Sequence, residues 1–95
     1  MQIDELAVPL GSPFIGKTIR ELEVRGRGGF IAIALRKQEG TIVRNLDHNT
    51  LLEKGDTVIV MGHQGDIPQF ARANKLKSKL RYRGSQVGQY YYNNY

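Results

Sequence analysis

Short apolar runs, separated by turn-forming residues, are the feature that most limits how this chain can fold. Residues 30–35 and 57–61 are clear examples, rich in branched or aromatic side chains and bounded by glycine, asparagine, aspartate or charged residues. This pattern is typical of short β-strands. No run approaches the roughly 18 apolar residues that a membrane-spanning helix requires, so we expect no span.

The predicted elements belong to one small domain of the α+β (α/β) class, in the order strand, helix, strand, strand, strand, helix. With 95 residues the chain is long enough for one hydrophobic core. A capping box, Thr18 with Glu21, predicts the start of the first helix. Asp66 as N-cap, with Pro68 in the first turn, predicts the second helix. The four strands are predicted at residues 3–10, 30–35, 41–43 and 57–61.

The net charge of +5 is unevenly distributed along the chain. Residues 1–74 contain nine basic and nine acidic residues, and residues 75–95 contain the other five basic residues and no acidic one. We therefore predict a neutral domain at 1–74 and a mobile tail at 75–95 that is first basic and then rich in Tyr and Asn. A nucleic-acid-binding fold is expected to carry a basic face on its own elements, and we predict none on this domain. The tail is either a solvated linker or a contact for anionic lipid.

Two absences bear on the compartment in which the chain works. The sequence has no cysteine, and Met1 is not followed by the charged, apolar and small segments of a secretory leader. Both are compatible with a reducing compartment. We expect a cytoplasmic location.

The segment from Gly11 to Thr18 matches the phosphate-binding loop pattern G-x-x-x-x-G-K-[ST]. Pro13 has no N–H to donate, however, and the bulky Phe14 prevents the backbone from curling around a phosphate. A phosphate-loop hydrolase also needs a parallel sheet with crossover helices, which 95 residues cannot supply. We interpret the segment as a turn that leads into a helix, and hydrolysis through Lys17 and Thr18 is the alternative.

No other residue pattern indicates catalysis or a cofactor. His48 and His63 are the only histidines, and without cysteines they are too few for a structural metal site. No serine has a histidine and an acid at a favourable spacing, and no pair of carboxylates stands out in an apolar segment. The chain is predicted not to be an enzyme and to hold no cofactor or metal.

The predicted strands at 30–35 and 41–43 flank the polar residues 37–40 and form a β-hairpin. In one interpretation this is a buried strand pair with solvated charges. In the other, a short domain whose strands are apolar on both sides completes its core by pairing with a second copy. The paired hairpins would then form a symmetric cleft with apolar walls and basic edges, suited to a small anionic ligand.

Three segments resemble, in the right order, those of the RCK C-terminal (TrkA-C) domain: Gly11–Leu22, Ile31–Arg36 and Leu52–Gly62. The resemblance covers residues 6–73. It implies a homodimerising domain at the C-terminal end of cytoplasmic gating subunits, which act with the membrane subunit of potassium channels or transporters. In that family the domain follows a Rossmann-like nucleotide-binding lobe. This sequence lacks the lobe, so we expect an excised piece rather than a stand-alone regulator.

Some members of this family bind cyclic di-AMP between two copies, with aliphatic side chains around the adenines and polar groups at the phosphates. The resemblance therefore implies a ligand-sensing regulatory domain that biases gating. Other members sense divalent cations or only dimerise, and a purely structural dimerisation domain is the alternative. By position along the hairpin, we predict an apolar wall at Ile31, Ile33, Ala34, Ile42 and Val43, and polar contacts at Arg36, Asn45 and His48.

Overall fold

The computed structural model describes residues 2–63 and 65–82 of the chain. The predicted α+β class is confirmed, and the six predicted elements occur in the predicted order. A further strand follows them. The elements are β1 (Gln2–Ala7), α1 (Ile19–Arg25), β2 (Phe30–Arg36), β3 (Ile42–Val43), β4 (Thr57–Gly62), α2 (Asp66–Ala73) and β5 (Lys77–Tyr82).

The five strands form a single antiparallel sheet in the order β3-β2-β4-β1-β5. Both helices pack on one face, where Ile19 and Leu22 of α1 and Ile67 of α2 join the buried cluster of the sheet. In the described part of the chain, no helix covers the other face, which we call the open face. Alternation and register assign to it Ile3, Glu5, Ile31, Ala34, Arg36, Ile42, Ile59 and Met61.

A β-bulge in β2 decides which side chains reach the open face. The register with β4 passes from Ala32 opposite Val60 to Ala34 opposite Ile59, so Ile33 is an extra residue. Because side chains alternate with period two, one extra residue moves every later side chain to the opposite face. Leu35 therefore packs in the core, and Arg36 lies on the open face.

The first helix begins as the sequence predicts. The Oγ1 of Thr18 accepts a hydrogen bond from the Glu21 N–H at 3.1 Å, which satisfies one of the free donors of the first turn. At the end of the helix the Gly26 N–H donates to the Leu22 carbonyl at 3.0 Å, and the Arg27 N–H donates to the Val24 carbonyl at 3.1 Å. A Cβ at Gly26 would lie 2.5 Å from the Phe30 ring, so this position also needs glycine for packing.

The predicted cap of the second helix is wrong by one residue. Gly65 is the N-cap, with φ of 91°, and no side chain caps the helix there. The left-handed turn at this glycine starts the helix before Asp66 can occupy the cap position. Asp66 lies in the first turn instead, where a carboxylate interacts favourably with the helix dipole.

β5 lies in the segment that sequence analysis assigned to a mobile tail, and that prediction is wrong for residues 77–82. They pair antiparallel with β1, with Lys79 opposite Glu5 in the register. The strand is hydrophilic because it lies at the edge of the sheet, where lysines are common and backbone hydrogen bonds to one neighbour suffice. Residues 83–95 of the predicted tail lie outside the described residues.

Among the helices of the described residues, none is long and apolar enough to cross a membrane.

Candidate functional site

The backbone of the loop that matches the phosphate-binding pattern is already used within the protein. Phe14 is 5% exposed, and its ring centroid lies 5.9 Å from that of Phe70. Thr18 caps α1, and Gly16 adopts φ of 85° in the turn. Five backbone N–H groups of the loop donate within the protein: Ser12 to Pro9 O, Phe14 to Ser12 Oγ, Ile15 to Ser12 O, Gly16 to Leu52 O and Lys17 to Phe14 O. The segment is the predicted turn, and it leaves no row of donors for a phosphate.

The β2–β3 hairpin, in contrast, exposes apolar side chains. Ile31 is 53% exposed, Ile42 46% and Val43 36%. β3 pairs only with Leu35 and Arg36, so within the described residues the earlier part of β2 lies at the edge of the sheet. An edge strand with exposed apolar side chains is a template for association with another chain.

The structure divides the predicted apolar wall between the two sides of the hairpin. Ile42 lies opposite Arg36, and Val43 lies opposite Leu35. Directly paired residues share a face, so Ile42 lies on the open face, as do Ile31 and Ala34, whereas Val43 lies on the helix side. Ile33 occupies the bulge. Ala34 is only 9% exposed, so it contributes little surface to the wall.

Arg36, a predicted polar contact, is held by a carboxylate that sequence analysis missed. Its Nη1 and Nη2 donate to Glu5 Oε2 and Oε1 at 2.9 and 2.8 Å. The hydrogen bond to Glu5 raises the pKa of Arg36 above its ordinary value. The Glu5 side chain is 8% exposed and that of Arg36 is 34% exposed. The guanidinium is therefore fixed in position, and part of its charge is compensated.

Glu5 gives a weak sequence signal. It is an acidic residue that alternates with Ile3 and Ala7 in β1, so it shares a strand face with two apolar residues. That pattern indicates a charged side chain on a mostly apolar strand face, but it does not predict the partner of that charge. Arg36 is 31 residues away from Glu5 in the sequence and reaches it across β4.

His48, another predicted polar contact, is joined to the edge of β2 through Glu23. Its Nδ1 lies 2.7 Å from Glu23 Oε1, and Glu23 Oε2 accepts the Ala32 N–H at 2.7 Å. Asn45 is exposed and lies between β3 and His48. In residues 2–63 and 65–82, no three histidine, aspartate or glutamate side chains cluster to hold a metal ion.

Lys37, next to Arg36, anchors the end of the hairpin. Its Nζ lies 2.8 Å from Glu53 Oε1 and 2.9 Å from Asp56 Oδ1. The hydrogen bond to Glu53, and to a lesser extent that to Asp56, raises the pKa of Lys37. The hydrogen bond with Lys37 in turn lowers the pKa of Glu53. Since Asp56 is 1% exposed, Lys37 compensates a buried charge and is not a free cation.

An antiparallel sheet covered by helices on one face, with an exposed apolar hairpin beside a fixed arginine, defines a small α+β domain with a surface suited to association. A family model described as the TrkA-C domain matches residues 4–75. The chain belongs to this family, and the resemblance seen in the sequence is confirmed.

A similar solved structure is the RCK_C domain dimer of S. agalactiae BusR in complex with c-di-AMP. It aligns with a TM-score of 0.61 and 24% sequence identity, over 76% of this chain and 93% of that chain. The likeness shows that the two chains share the RCK_C fold. No curated protein matches the chain.

Proposed function

We propose that this chain is a ligand-sensing regulatory domain of a potassium channel or transporter. In this proposal two copies pair at the cytoplasmic face of the membrane, bind cyclic di-AMP at their interface and bias gating of the membrane subunit. The observation that carries the proposal is the exposed hairpin beside a fixed guanidinium in a TrkA-C domain. The second candidate is a purely structural dimerisation domain.

The exposed side chains of the hairpin support association with a second copy. Ile31 and Ile42 are about half exposed and share the open face with Ile59 and Met61. Burial of apolar surface contributes about 25 cal/mol per Å². A two-fold axis would place the same residues of both copies against each other, which doubles the area gained from one apolar patch.

The chemistry beside the hairpin suits a dinucleotide with two phosphodiester groups. Adenine rings are flat and largely apolar, and isoleucine side chains can pack on them. Arginine has five N–H donors, and two hydrogen bonds to Glu5 leave others for a phosphate oxygen. The RCK_C dimer of BusR is in complex with c-di-AMP, which supports the same ligand class for this chain.

Sedimentation velocity and calorimetric titration with cyclic di-AMP test the proposal. We expect a dimer that binds one cyclic di-AMP, and Ile42→Ser should weaken both dimerisation and binding. Leu51→Ser is the matched control, because Leu51 is 57% exposed but lies outside the hairpin. A dimer without ligand binding supports the structural alternative. A monomer that binds no cyclic dinucleotide would overturn both.

A further inference from the structure

A second concave surface lies away from the hairpin, between one side of α1 and the turn that follows α2. It is a groove of about 740 Å³, within the range of roughly 300–1,000 Å³ that is usual for binding sites. Four basic residues line it, together with one acidic residue, Glu21. The basic residues are Lys17, Arg20, Arg25 and Lys75, and we call the surface the α1 groove.

The positive charge of the α1 groove is largely uncompensated, in contrast to that of Arg36 and Lys37. Among the described residues, the side chains of Lys17, Arg25 and Lys75 form no ion pair, and Arg20 only reaches an Asn49 oxygen at 3.5 Å. An anionic partner would therefore gain attraction without displacing an existing carboxylate.

Lys75 provides an independent observation, because its backbone adopts φ of 55°. It follows α2 at a position where Leu76 N–H donates to Ala71 O at 2.9 Å, the closing bond of a Schellman turn. That position favours glycine, since other residues are strained there. Among the described residues, six glycines occupy other positions with positive φ. Lys75 therefore occupies a position that disfavours residues other than glycine, and its side chain lines the basic groove.

The shape of the groove indicates what kind of anion it accepts. The loop N–H groups donate within the protein, so no backbone cradle exists for a compact phosphate. The cations come from three separate segments, and the apolar Pro13 and Val24 also line the groove. Val24 is 71% exposed. Cations that are separated by apolar surface are suited to a peptide segment that bears both carboxylates and apolar side chains.

We propose that the α1 groove binds an acidic, partly apolar segment of a partner protein. In this complex, carboxylates of the segment pair with Lys17, Arg25 and Lys75, and an apolar side chain packs on Val24. The site is distinct from the hairpin and does not depend on cyclic di-AMP binding.

Fluorescence anisotropy and amide NMR on the full chain test this proposal with a labelled peptide of sequence EDLEELDE. The control peptide QNLQQLNQ carries amides in place of the carboxylates. We expect the acidic peptide to bind at least about tenfold more tightly, and to shift the amide signals of α1 and residues 73–75. Shifts confined to other residues would overturn the proposal.

Lys75→Gly and Arg27→Gly form a matched pair of variants. Both remove a cation from a left-handed position, since Arg27 also has φ of 55°, but only Lys75 lines the groove. Both variants should unfold at the same or a higher temperature, because glycine relieves the strain. Only Lys75→Gly should weaken peptide binding, by about two- to fivefold, as expected for one exposed ion pair.

Three further outcomes would overturn the proposal, and a fourth is expected. Equal weakening by Arg27→Gly would mean general electrostatic attraction and would overturn the site. Displacement of the peptide by an equal concentration of pyrophosphate would overturn the proposal and indicate a compact phosphate as the ligand. Lys75-dependent binding to phosphatidylserine vesicles without peptide binding would overturn it and indicate a lipid surface. Unchanged cyclic di-AMP titration in Lys75→Gly is expected, which keeps this test separate from that of the hairpin.

Discussion

The loop at residues 11–18 and the hairpin at residues 30–43 show that a match to a binding motif and an accessible surface are separate properties. The loop matches a nucleotide-binding pattern letter by letter, yet its N–H groups bond within the protein and Phe14 is buried. The hairpin matches no such pattern, yet it exposes Ile31 and Ile42 next to a guanidinium.

A binding pattern therefore acts through free donors and accessible surface rather than through residue types alone. Glycine and threonine in the loop meet local needs, a left-handed turn at Gly16 and a helix cap at Thr18. In the described part of the chain, the edge of β2 is paired only at Leu35 and Arg36, and Ile31 and Ile42 are accessible. Substitution of buried apolar residues in the loop should therefore act on folding, whereas substitution of exposed apolar residues in the hairpin should act on association.

The largest expected effect is that of Phe14→Ala in the loop. Phe14 is 5% exposed and contacts the Phe70 ring, so its loss should cost about 3–5 kcal/mol of unfolding free energy, measured by urea denaturation. Ile15→Ala, at a neighbouring position that is 39% exposed, should cost less than about 1 kcal/mol. Equal effects at the two positions would mean that the loop is not built around Phe14.

On the hairpin, Arg36→Met should remove the two hydrogen bonds that Arg36 donates to the Glu5 carboxylate. We expect a loss of about 2–3 kcal/mol, below the range for a fully buried pair because the Arg36 side chain is 34% exposed. The double variant Glu5→Gln and Arg36→Met should regain part of this loss in the same denaturation assay. If the single and double variants were equally stable, the ion pair would not explain the effect.

A smaller effect is expected from the helix cap that the loop provides. Thr18→Ala removes the acceptor for the Glu21 N–H and should cost about 1 kcal/mol, measured by thermal unfolding. Thr18→Ser keeps a hydroxyl at the same place and should retain most of that stability. A serine variant as unstable as the alanine variant would point to the threonine methyl group instead.

The smallest effect concerns the pH dependence at the end of the hairpin. Lys37 lowers the pKa of Glu53 from 4.5 in the folded state. The stability that Glu53 adds is therefore present above about pH 4.5 and is lost as the pH falls through the lowered pKa. The difference in Tm between the natural chain and Glu53→Gln should be constant near neutral pH and vanish in acid. Glu39 is an exposed carboxylate of the hairpin turn, and Glu39→Gln is the control for the loss of one negative charge. An equal change in Tm difference with pH in both variants would mean that net charge, and not the contact with Lys37, explains the effect.

The sequence predicts the local elements well because their signals are local. The Thr18 cap, the hairpin around residues 37–40 and the strands of the core follow from residue spacing and turn chemistry. Two of the predictions about local structure are wrong. Lys77 to Tyr82 joins as a hydrophilic edge strand, and Gly65 caps α2 one residue before the expected Asp66.

The candidate site is predicted only in part, because its geometry depends on distant segments. The sequence points to Arg36, Ile42 and the other hairpin residues, and their role in binding stays a prediction. It does not reveal that the bulge at Ile33 turns Arg36 to the open face, or that Glu5 meets it across β4. It also gives no sign that Glu23 links His48 to β2.

The class of the domain, its family and the positions of its turns follow from the sequence, since these depend on patterns among near neighbours. Which charges are compensated and which are exposed depends on how the elements pack. Arg36 and Lys37 are adjacent to each other and bound to carboxylates, whereas Lys17, Arg25 and Lys75 come from separate segments and together line an open groove. The physical reason is that charge interactions depend on distance in space, which the chain sets only when the sheet and the helices have packed.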